Sequence, residues 1–88
     1  MKTILLDCRL MTGREEAHAY LARKLELPAY YGKNLDALSD CLEELLPCRV
    51  LLERTDALQK LGPYGGALLS VFRDMAGEQP RFELRERP

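Results

Sequence analysis

Apolar and polar positions change their period several times along this chain, and each change marks an element. Lys2–Cys8 has a continuous apolar centre, Ile4-Leu5-Leu6, which predicts a strand of a parallel sheet covered on both faces. Thr12 and Glu15 have the spacing of a capping box. Ala17, Tyr20, Leu21 and Leu25 then recur at helical intervals, predicting a helix to about residue 26. Pro28 and Gly32 punctuate a loop. Asn34 is a good N-cap for a second helix reaching about Leu46, where Pro47 stops it. Arg49–Glu53, centred on Val50, Leu51 and Leu52, reads as a second strand. Thr55 and Asp56 begin a short helical turn that Gly62-Pro63 breaks. A last helix is expected from Tyr64 to Ala76, ended by Gly77. Beyond Pro80, strict alternation over Arg81-Phe82-Glu83-Leu84-Arg85 predicts a half-exposed third strand. Strands separated by helices give the fold class: α/β, a small three-stranded parallel sheet packed by about four helices and joined by right-handed crossovers. No repeat or linker interrupts the chain, so residues 1–88 are expected to form a single domain with one modest core.

Composition changes this picture in two places. The N-terminal apolar run is too short for a signal-peptide core or a membrane span, so a cytoplasmic protein with no membrane association is expected. Cys8, Cys41 and Cys48 are odd in number and lack CxxC spacing, which argues for buried, reduced thiols and against a disulfide framework or zinc site.

Charge matters more. The formal net charge is only −1, yet residues 34–48 carry four acids and no base, while the remaining residues carry 13 bases against 10 acids. Such a patch attracts a cationic partner locally and repels phosphates, so nucleic acid is not expected on that face.

On a helical wheel Leu35, Leu38, Leu42, Leu45 and Leu46 share one broad face. Asp36, Asp40 and Glu43 fall opposite, with Glu44 at their margin. Like charges one turn apart repel, and only Asp36 is close enough to the helix N-terminus for partial compensation. A plain solvated helix face is one reading of that stripe. Tyr30 and Tyr31, on the loop leading into it, favour another. One tyrosine is expected to cover the core, and the other to make an amphipathic contact beside the acids. Gly32 and Asn34 suit a tight approach of loop to helix.

"LPAYYGKNLDALSDCL", residues 27–42, resembles the signature of the barstar family, inhibitors of a basic secreted bacterial ribonuclease. Weaker similarity extends over the apolar first strand, "VLLE" and "VFRD". The resemblance implies a three-stranded parallel sheet packed by helices. It also implies that the second helix and its loop plug a ribonuclease active site, with carboxylates standing where RNA phosphates would lie. By position in the motif, Asp40 is the central residue, Asp36 the flanking acid and Tyr30 the loop tyrosine that packs on the enzyme. Asp74 stands where the family has a glutamate on the acidic rim, and is one methylene shorter. Ser39 replaces a family tryptophan, Leu45 a second one, and Glu44 a glycine. The expected partner-binding set is therefore Tyr30, Asn34, Asp36, Ser39, Asp40, Glu43, Glu44 and Asp74. No cofactor or metal is implied, and a free monomer acting as an immunity protein or antitoxin is expected.

Two other readings compete. Asp36 and Asp40 could hold Mg²⁺ or act as an acid/base pair. Against an enzyme, there is no Gly-rich phosphate loop and no nucleophile motif, and the single histidine, His18, reads as a surface or boundary residue of the first helix. The other competitor is a barstar-like adaptor or regulator that binds a cationic protein other than a ribonuclease, a reading that Ser39 keeps open.

Overall fold

Three strands pair in parallel in chain order, β1 (Lys2–Asp7) with β2 (Cys48–Glu53) and β2 with β3 (Phe82–Glu86), in a computed structural model that describes all 88 residues. The helices are α1 (Arg14–Lys24), α2 (Leu35–Glu44) and α3 (Pro63–Glu78), with a 3-10 helix at Thr55–Leu61 and a 3-10 turn at Cys8–Leu10. This is the expected α/β class. No helix is long and apolar enough to cross a membrane.

Register sets the strands in cross-strand rows, apolar save for Lys2 at the edge: Cys48 lies between Lys2 and Phe82, Val50 between Ile4 and Leu84, and Leu6 opposite Leu52. Side chains alternate across a strand, so Ile4, Leu6, Cys48, Val50, Leu52 and Phe82 all point to one face, where they are buried. Leu21 of α1, Leu38 and Leu42 of α2, and Leu68 and Phe72 of α3 join them in one continuous apolar cluster. Burying a leucine of this kind contributes roughly 1.5–3 kcal/mol.

The other sheet face is open, which corrects the expectation of cover on both sides. Leu5 is 48 % exposed. Thr3 and Arg85 are exposed, and Arg49, Leu51 and Glu83 half-buried. The reason is topological. In the order β1-β2-β3, both crossovers step the same way, and right-handed connections then lay their helices on the same face. Glu83 and Arg49 are cross-strand neighbours and form an ion pair there at 2.7 Å.

Several boundaries also differ. The N-cap of α1 is Gly13, with no side-chain cap, so the Thr12–Glu15 box does not form. Glu16, in the first turn, folds back over Gly13 and fills the space that a β-carbon there would need. Gly77 lies inside α3, which runs on to Glu78. The second helix ends at Glu44, before a cis Leu46–Pro47 bond. All three cysteines are free and buried, as expected, and burial pushes the Cys8 thiol up to about 11.

Candidate partner-binding site

The chain enters α2 through a loop fixed at both ends. Tyr31 donates its backbone N–H to the Pro28 carbonyl at 3.0 Å, and its ring is buried at 7 % exposure. Its hydroxyl meets Nδ1 of His18 on α1 at 2.6 Å, while Nε2 of the same ring meets the hydroxyl of Tyr64 on α3. At the other end, the Asn34 side chain accepts from the Ala37 N–H at 2.8 Å and donates to the Gly32 carbonyl at 3.3 Å. A β-carbon on Gly32 would press on Asn34 Nδ2 at 3.2 Å, so the loop turns close against the helix. Asn34 therefore acts first as the cap that starts α2.

His18 corrects its sequence reading. It is the one buried polar residue, 1 % exposed, and not a surface or boundary side chain. Both ring nitrogens are satisfied by tyrosines that arrive from other elements, which is what makes burial tolerable. Burial, aided by the nearby Arg14 cation, pushes its pKa below the ordinary value. The neutral ring then donates at one nitrogen and accepts at the other.

With Tyr31 anchored, Tyr30 is thrown outward to 81 % exposure. The pair therefore divides as expected: Tyr31 lies on the core and Tyr30 in solvent.

On α2, Leu38, Cys41 and Leu42 are buried, while Asp36, Asp40, Glu43 and Glu44 are all exposed. None of these four acids takes part in an ion pair. Glu43 accepts a hydrogen bond from Gln79 Nε2, next to the end of α3, at 3.2 Å. The last turn of α2 contains no base. Glu43 and Glu44 thus sit at the negative end of the helix dipole, where a carboxylate is disfavoured. No group of three or more His, Cys, Asp or Glu side chains is arranged to hold a metal ion.

Asp74 is exposed on α3. Its neighbour Arg73 turns to the other flank and is held by Glu86 of β3 at 2.8 and 2.9 Å. Glu78, exposed one turn beyond Asp74 on the same helix, is a further acid that the expected set does not include. The i, i+4 spacing of Asp74 and Glu78 was its signal. Ser39 is half-buried between the exposed Asp40 and the buried Leu38, the least prominent of the expected contacts.

Residues 1–86 match the family described as Barstar (barnase inhibitor). The chain belongs to the barstar family. A protein of Bacillus subtilis (strain 168) named "Putative ribonuclease inhibitor YrdF" is 37 % identical over 81 residues, with 89 % of each chain covered. Family membership, and the role that the description carries, point to a barnase-inhibitor-like protein.

In this barstar-family chain the acids and the exposed tyrosine lie on consecutive segments, residues 30–44, and the His18–Tyr31 hydrogen bond holds the loop that leads into them. The surface is preorganised in its backbone and unpaired in its charge.

Proposed function

We propose that this chain inhibits a basic ribonuclease by occluding its active site. The acids of α2 stand in for RNA phosphates, and Tyr30 packs on the enzyme beside them. One observation carries the reading: a fixed helix face presents Asp36, Asp40, Glu43 and Glu44 to solvent without a single ion pair. Successive acids one turn apart rise by about 6 Å along the helix. A cleft built to bind a polyanion is complementary to such a row. Charge hastens the encounter, and desolvated Asp–Arg hydrogen bonds then slow escape. Repulsion among the acids, and between Glu43–Glu44 and the helix dipole, is relieved when cations arrive.

In this reading Asp40 is the central residue and enters the phosphate site. Asp36 flanks it, Asp74 and Glu78 form an acidic rim, and Asn34 holds the geometry. The protein acts by binding, with no reaction, cofactor or metal of its own, as a free monomer in the cytoplasm.

The test is affinity capture from the source organism's lysate and medium, with wild type and Asp40→Ala as parallel baits, followed by assay of captured ribonuclease with and without added inhibitor. A basic ribonuclease held and silenced by the wild type, and released by Asp40→Ala, is expected. Capture of a ribonuclease with equal affinity by both baits would remove the phosphate-mimic mechanism.

A second reading rests on composition. Without tryptophan anywhere in the chain, and with Ser39 half-buried in the helix, the face is less aromatic and more acidic than the family pattern. That favours an adaptor or regulator of another cationic protein. Capture of a non-nuclease protein that depends on Asp40 would support it.

A further inference from the structure

Three non-glycine residues hold left-handed backbone: Glu26 at φ 53°, Lys33 at 55° and Arg54 at 57°. A β-carbon disfavours that conformation. Two of the three have ion-pair partners, Glu26 with Lys2 of β1 at 3.5 Å and Arg54 with Asp56 at 3.3 Å. Lys33 has no ion-pair partner, although Asp36 follows three residues later and Glu15 and Glu16 line the same cleft.

Its backbone is clamped from both sides. Tyr31 is tied to His18, and Asn34 is tied to Gly32 and Ala37. The side chain is exposed and lines a cleft of about 600 Å³ together with Arg14, Glu15, Glu16, His18 and Ala19 of α1. Arg14 is likewise without a carboxylate, its guanidinium lying 4.7 Å over the Tyr64 ring. Glu16 is folded over Gly13. Just before the acidic face, a held backbone thus carries one exposed, unneutralised cation, while every charge on α2 itself is negative.

We propose that Lys33 is a specificity-determining contact, which takes the carboxylate of an Asp or Glu on the rim of the ribonuclease's basic cleft. This rests on the inhibitor reading above, and adds a demand on the partner that phosphate mimicry does not make. A uniformly basic surface gains from the α2 acids but is repelled at Lys33. Only an enzyme with an acid in register satisfies both. Attraction at the stripe and repulsion at one flanking position together separate one cationic partner from the rest.

The sign of one substitution tests it. Binding of the captured ribonuclease to wild type, Lys33→Glu, Lys33→Gly and Asp40→Ala is measured by titration, with circular dichroism and the thermal midpoint confirming an intact fold. Lys33 is exposed, and Lys33→Gly relieves the left-handed backbone, so the two Lys33 variants separate charge from conformation. Exposed ion pairs change affinity by about two- to fivefold, and reversing one charge roughly squares that factor. Lys33→Glu is therefore expected to weaken binding by at least about fourfold, and Lys33→Gly by less. Reversing the matching acid on the ribonuclease to Lys should then restore tight binding to Lys33→Glu alone. Tighter binding by Lys33→Glu, or no change, overturns the inference while loss of binding in Asp40→Ala leaves the inhibitor reading standing. If the wild type holds no ribonuclease, both fall together.

Discussion

Nδ1 of His18 lies 2.6 Å from the hydroxyl of Tyr31, so a buried histidine of α1 holds down the loop that presents the acidic helix. The groups facing it are Tyr31 and Tyr64 at its two nitrogens and the Arg14 cation, with Glu15, Glu16 and Lys33 around the adjoining cleft. Its folded pKa is lowered, first by burial and then by Arg14. As pH falls below the ordinary value of about 6.5, the unfolded chain takes up a proton that the folded chain resists. The stabilising contribution is therefore complete above about pH 6.5 and is lost as pH drops through the depressed folded value. Urea titrations should show unfolding free energy declining from about pH 6.5 downward. His18→Gln should flatten that decline. A wild-type stability that is constant until the carboxylates titrate would contradict the assignment.

The two loop tyrosines should separate stability from binding. Tyr31→Phe leaves a ring nitrogen of His18 without its partner inside the core, at a cost of about 1–3 kcal/mol. Tyr30→Ala removes a side chain that is 81 % exposed and should change stability by less than about 0.5 kcal/mol. Its affinity for the ribonuclease should nonetheless fall at least about tenfold, as loss of a rigid aromatic anchor does. Denaturation midpoints and binding titrations on both variants check this, and an equal destabilisation of the two would erase the distinction.

How much of this was legible in the sequence depends on the distance over which each feature is decided. The leucine face of α2 and the Asn34 cap are written within a few residues, and the structure places them as expected. The alternation around Phe82 does give a strand, though one whose burial fades from Phe82 toward Glu86 instead of alternating. The α/β class followed from the order of such elements. The burial of His18 was not legible, because one of its partners, Tyr64, lies 46 residues away. Nor was the open sheet face, since Leu5 looks as apolar as Leu6 until strand order decides which side the helices take. The α1 cap failed for a local reason: the helix starts after Gly13, one residue later than Thr12 suggested. In the candidate site, the carboxylates and Tyr30 were readable from helical period and loop position. Glu78 was readable too, one turn beyond Asp74 on the same helix.

Stability and binding should also part company along α2 itself. Leu38→Ala and Leu42→Ala empty fully buried positions, each at a cost of about 2–5 kcal/mol. Asp40→Asn removes a repelling charge from an exposed row and should leave stability unchanged or slightly raised. Thermal or chemical unfolding of the three variants distinguishes them. A marked destabilisation by Asp40→Asn would mean that the carboxylate has a folding role, contrary to its exposed and unpaired position.

Salt should act on the encounter more than on the complex. A net charge of −1 would by itself give almost no long-range attraction, but four unopposed acids lie within residues 34–48. Their field is local and reaches about 10 Å at 0.1 M salt, shrinking to about 3 Å at 1 M. The association rate with the basic ribonuclease should therefore fall at least about tenfold across that range, and dissociation should change far less. Glu43→Gln and Glu44→Gln should each reduce the salt slope of association. Lys33→Glu should steepen it, because distant steering responds to the summed charge even where close docking rejects the new acid. Stopped-flow mixing at graded ionic strength reads these slopes directly. A rate indifferent to salt in the wild type would mean that the acids act only at contact, and that charge does not guide the partner in.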